Sequence, residues 1–225
     1  MAEIKPSATI ENYLSLLFVF ERDGEPIVGA RLAEQLGVTP PTVTNTLKRM
    51  ERDGLVRLDG PSGPALTESG RTAAHTVMRR HILTEWMLVR LLSWSKIHSQ
   101  AHEMEHAISQ EVEDALQREW NYPQTCPHGN PLPGCEEVVA GWIPLTEAPL
   151  HRPLIIRRVH ELAEETPGVL AFLEEKRLTI GQEIIIIETL PFNQTLTINV
   201  EEGPCGGEVV LGQSIARYIF GELKP

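Results

Sequence analysis

Cysteine is scarce in this chain: Cys126, Cys135 and Cys205 are the only three in 225 residues. Three is too few and an odd number for a disulfide framework, and it fits a reducing compartment. No stretch approaches the roughly 20 apolar residues of a membrane helix, and the N-terminus lacks a basic leader and a small-residue cleavage site. A cytoplasmic location is therefore expected. Basic residues are also in deficit, with 20 Lys and Arg against 31 Asp and Glu for a formal charge of −11. Taken at face value, that argues against a polyanionic partner. The 41% hydrophobic and 23% charged composition excludes a disordered or collagen-like chain, and the length suggests more than one domain.

The charge is unevenly placed. Residues 1–80 hold ten Lys and Arg and ten Asp and Glu, so the whole deficit belongs to the remainder. Within that neutral part Lys48, Arg49, Arg52 and Arg57 fall in ten positions, followed by Arg71, Arg79 and Arg80. A neutral module with a basic stripe is joined to an acidic body.

Residues 9–21 space Ile10, Tyr13, Leu14, Leu17 and Phe20 as one face of a helix. A second short helix carries Leu32, Ala33 and Leu36 and stops at Gly37, where a C-terminal glycine belongs. Thr39-Pro40-Pro41 then supplies a cap and a proline start for a third helix through Val43, Leu47 and Met50 to Gly54. LVRLDGPSGPALT follows as two short strands around a turn-rich tip. Helix, glycine turn, helix and hairpin make a winged helix-turn-helix, with its basic residues on the elements that meet phosphates and the major groove.

Two long helices are expected next, from Gly70 to about Trp94 and from about Ile97 to Trp120, forming a helical dimerisation unit. A proline-rich connection runs from Pro123 to Pro153, and the last 70 or so residues read as a small β-barrel of short β-branched strands.

His81, His98, His102 and His106 lie in 26 residues, interleaved with Glu85, Glu103 and Glu105. On one helix with His98 at zero, His102 falls at about 40°, Glu105 at about −20° and His106 at about 80°. His81 and Glu85 are one turn apart on the preceding helix. Imidazoles and carboxylates converging from two helices suit a divalent metal. The same residues read differently as HExxH (His102-Glu103-Met104-Glu105-His106), the helix of zinc metalloproteases. A third reading is a winged-helix regulator of an organic ligand whose His/Glu face is merely solvated.

LAEQLGVTPPTVTNTLKRMERDGLV, LTESG, VMRRHILTE, HEMEH and CPHGNPLPG together resemble the diphtheria toxin repressor and manganese-transport regulator family, metal-dependent transcriptional repressors. The resemblance covers nearly the whole chain. It implies an α+β protein: a winged helix-turn-helix domain over 1–72, an all-helical metal-binding and dimerisation domain over 73–145, and an SH3-like (FeoA-like) β-barrel over 150–225. It also implies a primary metal site at Asn12, His102, Glu105 and His106, and a second at His81, Glu85 and His98. The segment HELAEETPGV offers Glu164 or Glu165 as a barrel contribution to the second site.

His102 stands where the family usually has Cys or Glu, and Asn12 where it has Met or Asp. The primary set is then all nitrogen and oxygen, which suits Mn²⁺ first and Fe²⁺ next. CPHGNPLPG reads as a structural turn and not as a zinc knuckle of Cys126, His128 and Cys135. The expected function is repression of metal-homeostasis genes by a metal-loaded homodimer on a palindromic operator. Thr39, Pro41, Thr42, Thr44 and Asn45 open the recognition helix, and Asn45 is the best placed to hydrogen-bond a base edge. Lys48, Arg49, Arg52 and Arg57 are expected to hold phosphates.

Overall fold

The computed structural model describes residues 6–60, 63–200 and 207–224; Pro61 and Ser62 of the hairpin tip and Cys205 lie outside them. The chain divides into two compact units, 1–81 with 103–113 and 82–102 with 114–225, and the cuts fall inside helices.

The first unit opens with α1 (Ala8–Arg22), whose Leu14, Leu17 and Phe20 are fully buried. α2 (Gly29–Gln35) closes before Gly37, which takes φ +62°, a conformation that costs an L side chain and leaves glycine unstrained. α3 (Pro40–Arg52) begins as its sequence dictates: the Thr39 hydroxyl accepts a bond from the backbone N–H of Thr42, and the prolines occupy positions whose N–H would be unpaired anyway. Val43, Leu47 and Met50 turn inward.

β1 (Val56–Arg57) and β2 (Ala65–Leu66) pair antiparallel as the wing. One carboxylate ties α1, the wing and the next helix together, since Glu21 accepts from the Leu66 N–H at 2.7 Å and from Arg71 at 2.6 Å. α4 (Glu68–Leu88) starts so close to the wing that a Cβ on Gly70 would lie 1.9 Å from the Leu55 carbonyl oxygen.

The expected continuous helix from Ile97 to Trp120 is in fact three pieces: α5 (Trp94–Met104), a 3₁₀ turn (Glu105–Ala107) and α6 (Gln110–Glu119). Ile108 is extended, at φ −68° and ψ 120°, and buried. Ser109 restarts the helix by accepting from the Val112 and Glu113 N–H groups. Burial of Ile108 together with a serine cap outweighs helical continuity. The projection that placed Glu105 and His106 on one α-helical face with His98 therefore fails at those two residues.

In the second unit, Leu88, Ile97 and Ala101 form one apolar cluster, and Ile82, Cys126 and Leu132 form another. The proline-rich connection closes a small loop by a Thr125–Pro131 bridge and carries a short strand, β3 (Ile143–Pro144). Five further strands follow, β4 (Pro153–Val159), β5 (Glu183–Leu190), β6 (Thr195–Val200), β7 (Gly207–Gly212) and β8 (Ile219–Leu223). They make an antiparallel sheet in the order β3-β8-β4-β5-β6-β7, bent by register shifts at Ile156/Arg158 and Ile186/Glu188.

Its core is the inward alternation of β4, β5 and β6 (Leu154, Ile156, Ile184, Ile198), covered by α7 (Glu161–Glu164) and α8 (Val169–Glu175). α9 (Gln213–Ala216) joins β7 to β8. The loop carrying Cys126 and His128 lies directly on β4. A Cβ at Gly129, whose φ is +89°, would be 1.9 Å from the Arg157 carbonyl oxygen.

Candidate metal centres and DNA-facing helix

In the first unit α1, α4 and the 3₁₀ turn bring four ionisable side chains into a row. Nδ1 of His81 is 2.5 Å from Oε2 of Glu105, Oε1 of Glu105 is 3.6 Å from Nε2 of His106, and Nδ1 of His106 is 2.6 Å from Oε2 of Glu11. Glu11 and Glu105 are both buried, at 5% and 2% exposure. Asn12 lies beside Glu11 on α1, and its side-chain oxygen is buried without a hydrogen-bond partner among the described residues. A buried carbonyl oxygen left unpaired costs on the order of 1–3 kcal/mol, which a bound cation would relieve. His102 stands in the last turn of α5.

In the second unit His98 is held on both ring nitrogens. Nδ1 is 2.7 Å from Glu164 and 3.1 Å from Glu85, and Nε2 is 3.1 Å from Glu165. Both residues offered by HELAEETPGV thus reach the same imidazole. Glu164 does so buried, whereas the Glu165 side chain is 47% exposed. Burial pushes the His98 pKa down, but Glu164, with Glu165 and Glu85, outweighs it and raises the pKa well above 6.5.

Two residues that the sequence assigned to a structural turn complete this cluster. Cys126 and His128 put ligand atoms within 4.8 Å of one another and of a Glu85 oxygen. His128 donates from Nε2 to the Trp94 carbonyl at 3.0 Å, which fixes the proton on that nitrogen. Its other nitrogen, Nδ1, then faces Glu85 at 3.3 Å and Glu164 at 3.5 Å.

A neutral ring would aim a lone pair at two carboxylates, so the site calls for a proton or a metal ion there. The same conflict appears in the titration: burial lowers the His128 pKa, Glu164 and Glu85 more than offset it, and the net direction is up. The Cys126 thiol is pushed well up by burial and by Glu85 and Glu164, so it is protonated at neutral pH. The signal available in sequence was the C-x-H pair. The resemblance of CPHGNPLPG to the family's usual connection points instead to a turn, and Glu85, about 40 residues earlier, comes beside the pair only in the fold.

Thr39, the cap of α3, and Pro41, Thr42, Thr44, Asn45, Lys48, Arg49 and Arg52 along it are all exposed, as is Arg57 on the wing, whereas Val43, Leu47 and Met50 are buried. Thr44 donates its hydroxyl proton back to the Pro40 carbonyl, and Arg49 reaches Ser7 at 3.4 Å.

Comparison with known families places this geometry. Three family models match in succession: the N-terminal DNA-binding domain of iron-dependent repressors over residues 5–63, their metal-binding and dimerisation domain over 67–134, and a FeoA domain over 143–223. The iron-dependent repressor IdeR of Mycobacterium tuberculosis strain H37Rv is 40% identical over 171 residues, 71% of this chain and 74% of that protein. The diphtheria toxin repressor of Corynebacterium diphtheriae is 33% identical over 191 residues, 80% and 84% of the two chains.

The chain belongs to the diphtheria toxin repressor family. A solved structure of the family member ScaR with bound Cd²⁺ superposes with a TM-score of 0.78 at 29% identity, covering 96% of this chain and 99% of that one. This repressor is accordingly α+β, with a DNA-binding domain, a helical metal-binding and dimerisation domain and an SH3-like FeoA domain. It is a metal-dependent transcriptional regulator and not an enzyme.

The HExxH reading fails on the structure as well. That motif needs both histidines on one helix, whereas α5 ends at Met104, His106 lies on the 3₁₀ turn, and Glu103 points to solvent. Among the described residues no helix is long and apolar enough to cross a membrane.

Proposed function

We propose that this repressor binds a palindromic operator as a homodimer when loaded with Mn²⁺, with Fe²⁺ as the alternative ion, and that it acts in the cytoplasm on genes of metal homeostasis. The three segments 1–72, 73–145 and 150–225 would carry DNA binding, metal sensing with dimerisation, and the barrel.

The observation that carries this reading is the pair of buried carboxylate–imidazole clusters in a chain with a DNA-binding domain. Like charges buried together need a cation. The primary site is proposed at Asn12, Glu105 and His106, with His102 retained from its place three residues before Glu105. Bound metal would hold α1, the helix bearing Asn12, to the turn bearing Glu105 and His106. The winged helix would thereby be fixed for two recognition helices to enter major grooves about 34 Å apart or a multiple of that. Without metal only the competent fraction of conformations binds DNA.

The second site is proposed at Glu85, His98, Glu164 and Glu165, extended by Cys126 and His128. His81, one turn before Glu85 on α4, is kept with it from the sequence, although it also bonds Glu105. The all-N/O primary set supports Mn²⁺ or Fe²⁺ over softer ions. Thr39, Pro41, Thr42, Thr44 and Asn45 would face bases, and Lys48, Arg49, Arg52 and Arg57 phosphates.

The test is fluorescence anisotropy on DNA selected from a random library by the metal-loaded protein. Affinity should appear with Mn²⁺ and vanish with chelator. Equal affinity in both would overturn the reading.

A further inference from the structure

His106 is held by a residue that the ligand pattern passes over. On α1 the side chain that touches it is Glu11, and the contact is a charge-assisted hydrogen bond of 2.6 Å from Nδ1 to Oε2. Glu11 is 5% exposed. A buried carboxylate can only accept here, so the proton of a neutral His106 ring is drawn to Nδ1. The lone pair is then on Nε2, the nitrogen 3.6 Å from Oε1 of Glu105.

From this geometry we infer that Glu11 is the positioning residue of the primary metal site. Its carboxylate fixes His106 in the Nδ1–H tautomer, aims Nε2 at the metal beside Glu105, and ties the strength of that ligand to α1. The inference rests on the proposed reading that His106 is a metal ligand.

Two further observations support it. Of Asn12, His102, Glu105 and His106 only Glu105 is an anion, so a divalent ion would be half neutralised. Glu11, buried one hydrogen bond away, supplies the second negative charge through the ring. Hydrogen bonding of a ligating imidazole to a carboxylate also raises its basicity, and losing such an outer partner costs about 10–100-fold in metal affinity. Asn12 and Glu11 are adjacent on one helix, so α1 would contribute both a direct donor and the support of another ligand.

The experiment uses the full chain as wild type, Glu11→Gln, Glu11→Ala and His106→Ala. Long-range ¹H–¹⁵N spectra of the metal-free protein in alkaline buffer, with the His106 signals assigned by their loss in His106→Ala, read the tautomer directly. Wild type should show Nδ1–H. Glu11→Gln, nearly isosteric and still able to accept through its amide oxygen, should keep it, and Glu11→Ala should shift it toward Nε2–H. Mn²⁺ affinity, read by the electron paramagnetic resonance of free Mn²⁺, should fall about 10–100-fold in Glu11→Ala and less in Glu11→Gln.

A wild-type Nε2–H tautomer overturns the inference alone, as does unchanged Mn²⁺ affinity in Glu11→Ala when His106→Ala is impaired. If His106→Ala itself binds Mn²⁺ like wild type, the metal reading of that residue fails and the inference falls with it. An Mn²⁺ loss in Glu11→Gln as large as in His106→Ala, with the tautomer unchanged, would mark Glu11 as a direct ligand and overturn the positioning role.

Discussion

His128 donates its Nε2 proton to the backbone carbonyl of Trp94 at 3.0 Å. That bond turns Nδ1 toward Glu85 and Glu164, and it brings a residue of a proline-rich loop up to two buried carboxylates of the proposed second site. The Trp94 indole returns the contact by donating to the Pro127 carbonyl at 3.1 Å. The loop and the start of α5 therefore hold each other in the arrangement the site needs.

Replacing Cys126 by Ser or His128 by Ala should weaken the second metal site by at least the roughly 10–100-fold that losing an outer partner costs. Competition against a chromophoric chelator measures it. The Co²⁺-loaded protein gives an independent readout, since wild type should show a thiolate-to-metal charge-transfer band that Cys126→Ser lacks. The same band in both proteins would exclude Cys126 from the site.

Stability of the metal-free protein should decline with rising pH. His98 and His128 have folded pKa values raised above 6.5, by Glu164 and Glu85 against the opposing effect of burial. For a raised imidazole the stabilisation is complete below the unfolded value of about 6.5 and is lost as pH climbs through the folded value. Urea denaturation of metal-free protein across that range should show the fall, and Glu164→Gln should flatten it. Metal must displace the same protons, so Mn²⁺ affinity should rise with pH. Calorimetry in buffers of different ionisation enthalpy should register the proton release.

Gly129→Ala should uncouple the loop from the barrel. The new Cβ would sit 1.9 Å from the Arg157 carbonyl oxygen and 2.8 Å from the Arg158 Cα, on a backbone at φ +89°. Strain at such a φ alone costs about 1–3 kcal/mol. Thermal melting should show a loss of at least that size, with reduced metal binding at the second site. Wild-type melting and metal stoichiometry would refute the close packing.

On DNA, Arg49→Ala should weaken binding to all sequences alike and lower the salt slope by about one unit. Asn45→Ala should cost about 1–3 kcal/mol at one base pair and leave the salt slope unchanged. Anisotropy titrations over a series of salt concentrations and single-base operator variants separate the two. A base-selective loss in Arg49→Ala would reverse the assignment of contacts.

The helix-turn-helix was legible because its boundaries are written in local chemistry. Gly37 supplies the positive φ, Thr39 the cap, and Pro40 and Pro41 the first turn; each acts within a few residues. The break at Ile108 was not legible. Ile108 fits a helical apolar face as well as it fits a buried extended position, and only packing chooses between them. That break moved Glu105 and His106 off the helix on which spacing had placed them.

The sequence by itself determined the helix-turn-helix and its wing, the basic face of α3 and the residue types available for metal. These follow from the 3.6-residue period, turn residues and charge, all read over short distances. Tertiary structure decided which of those residues meet. It put Glu11, next to Asn12, against His106, and it set Cys126 and His128, in the turn the sequence predicts, beside Glu85. Such meetings depend on side-chain direction and on burial of carboxylates far apart in the chain. Neighbours on a helix point about 100° apart, so adjacent letters in a sequence face different surroundings and only the fold says which one reaches the site.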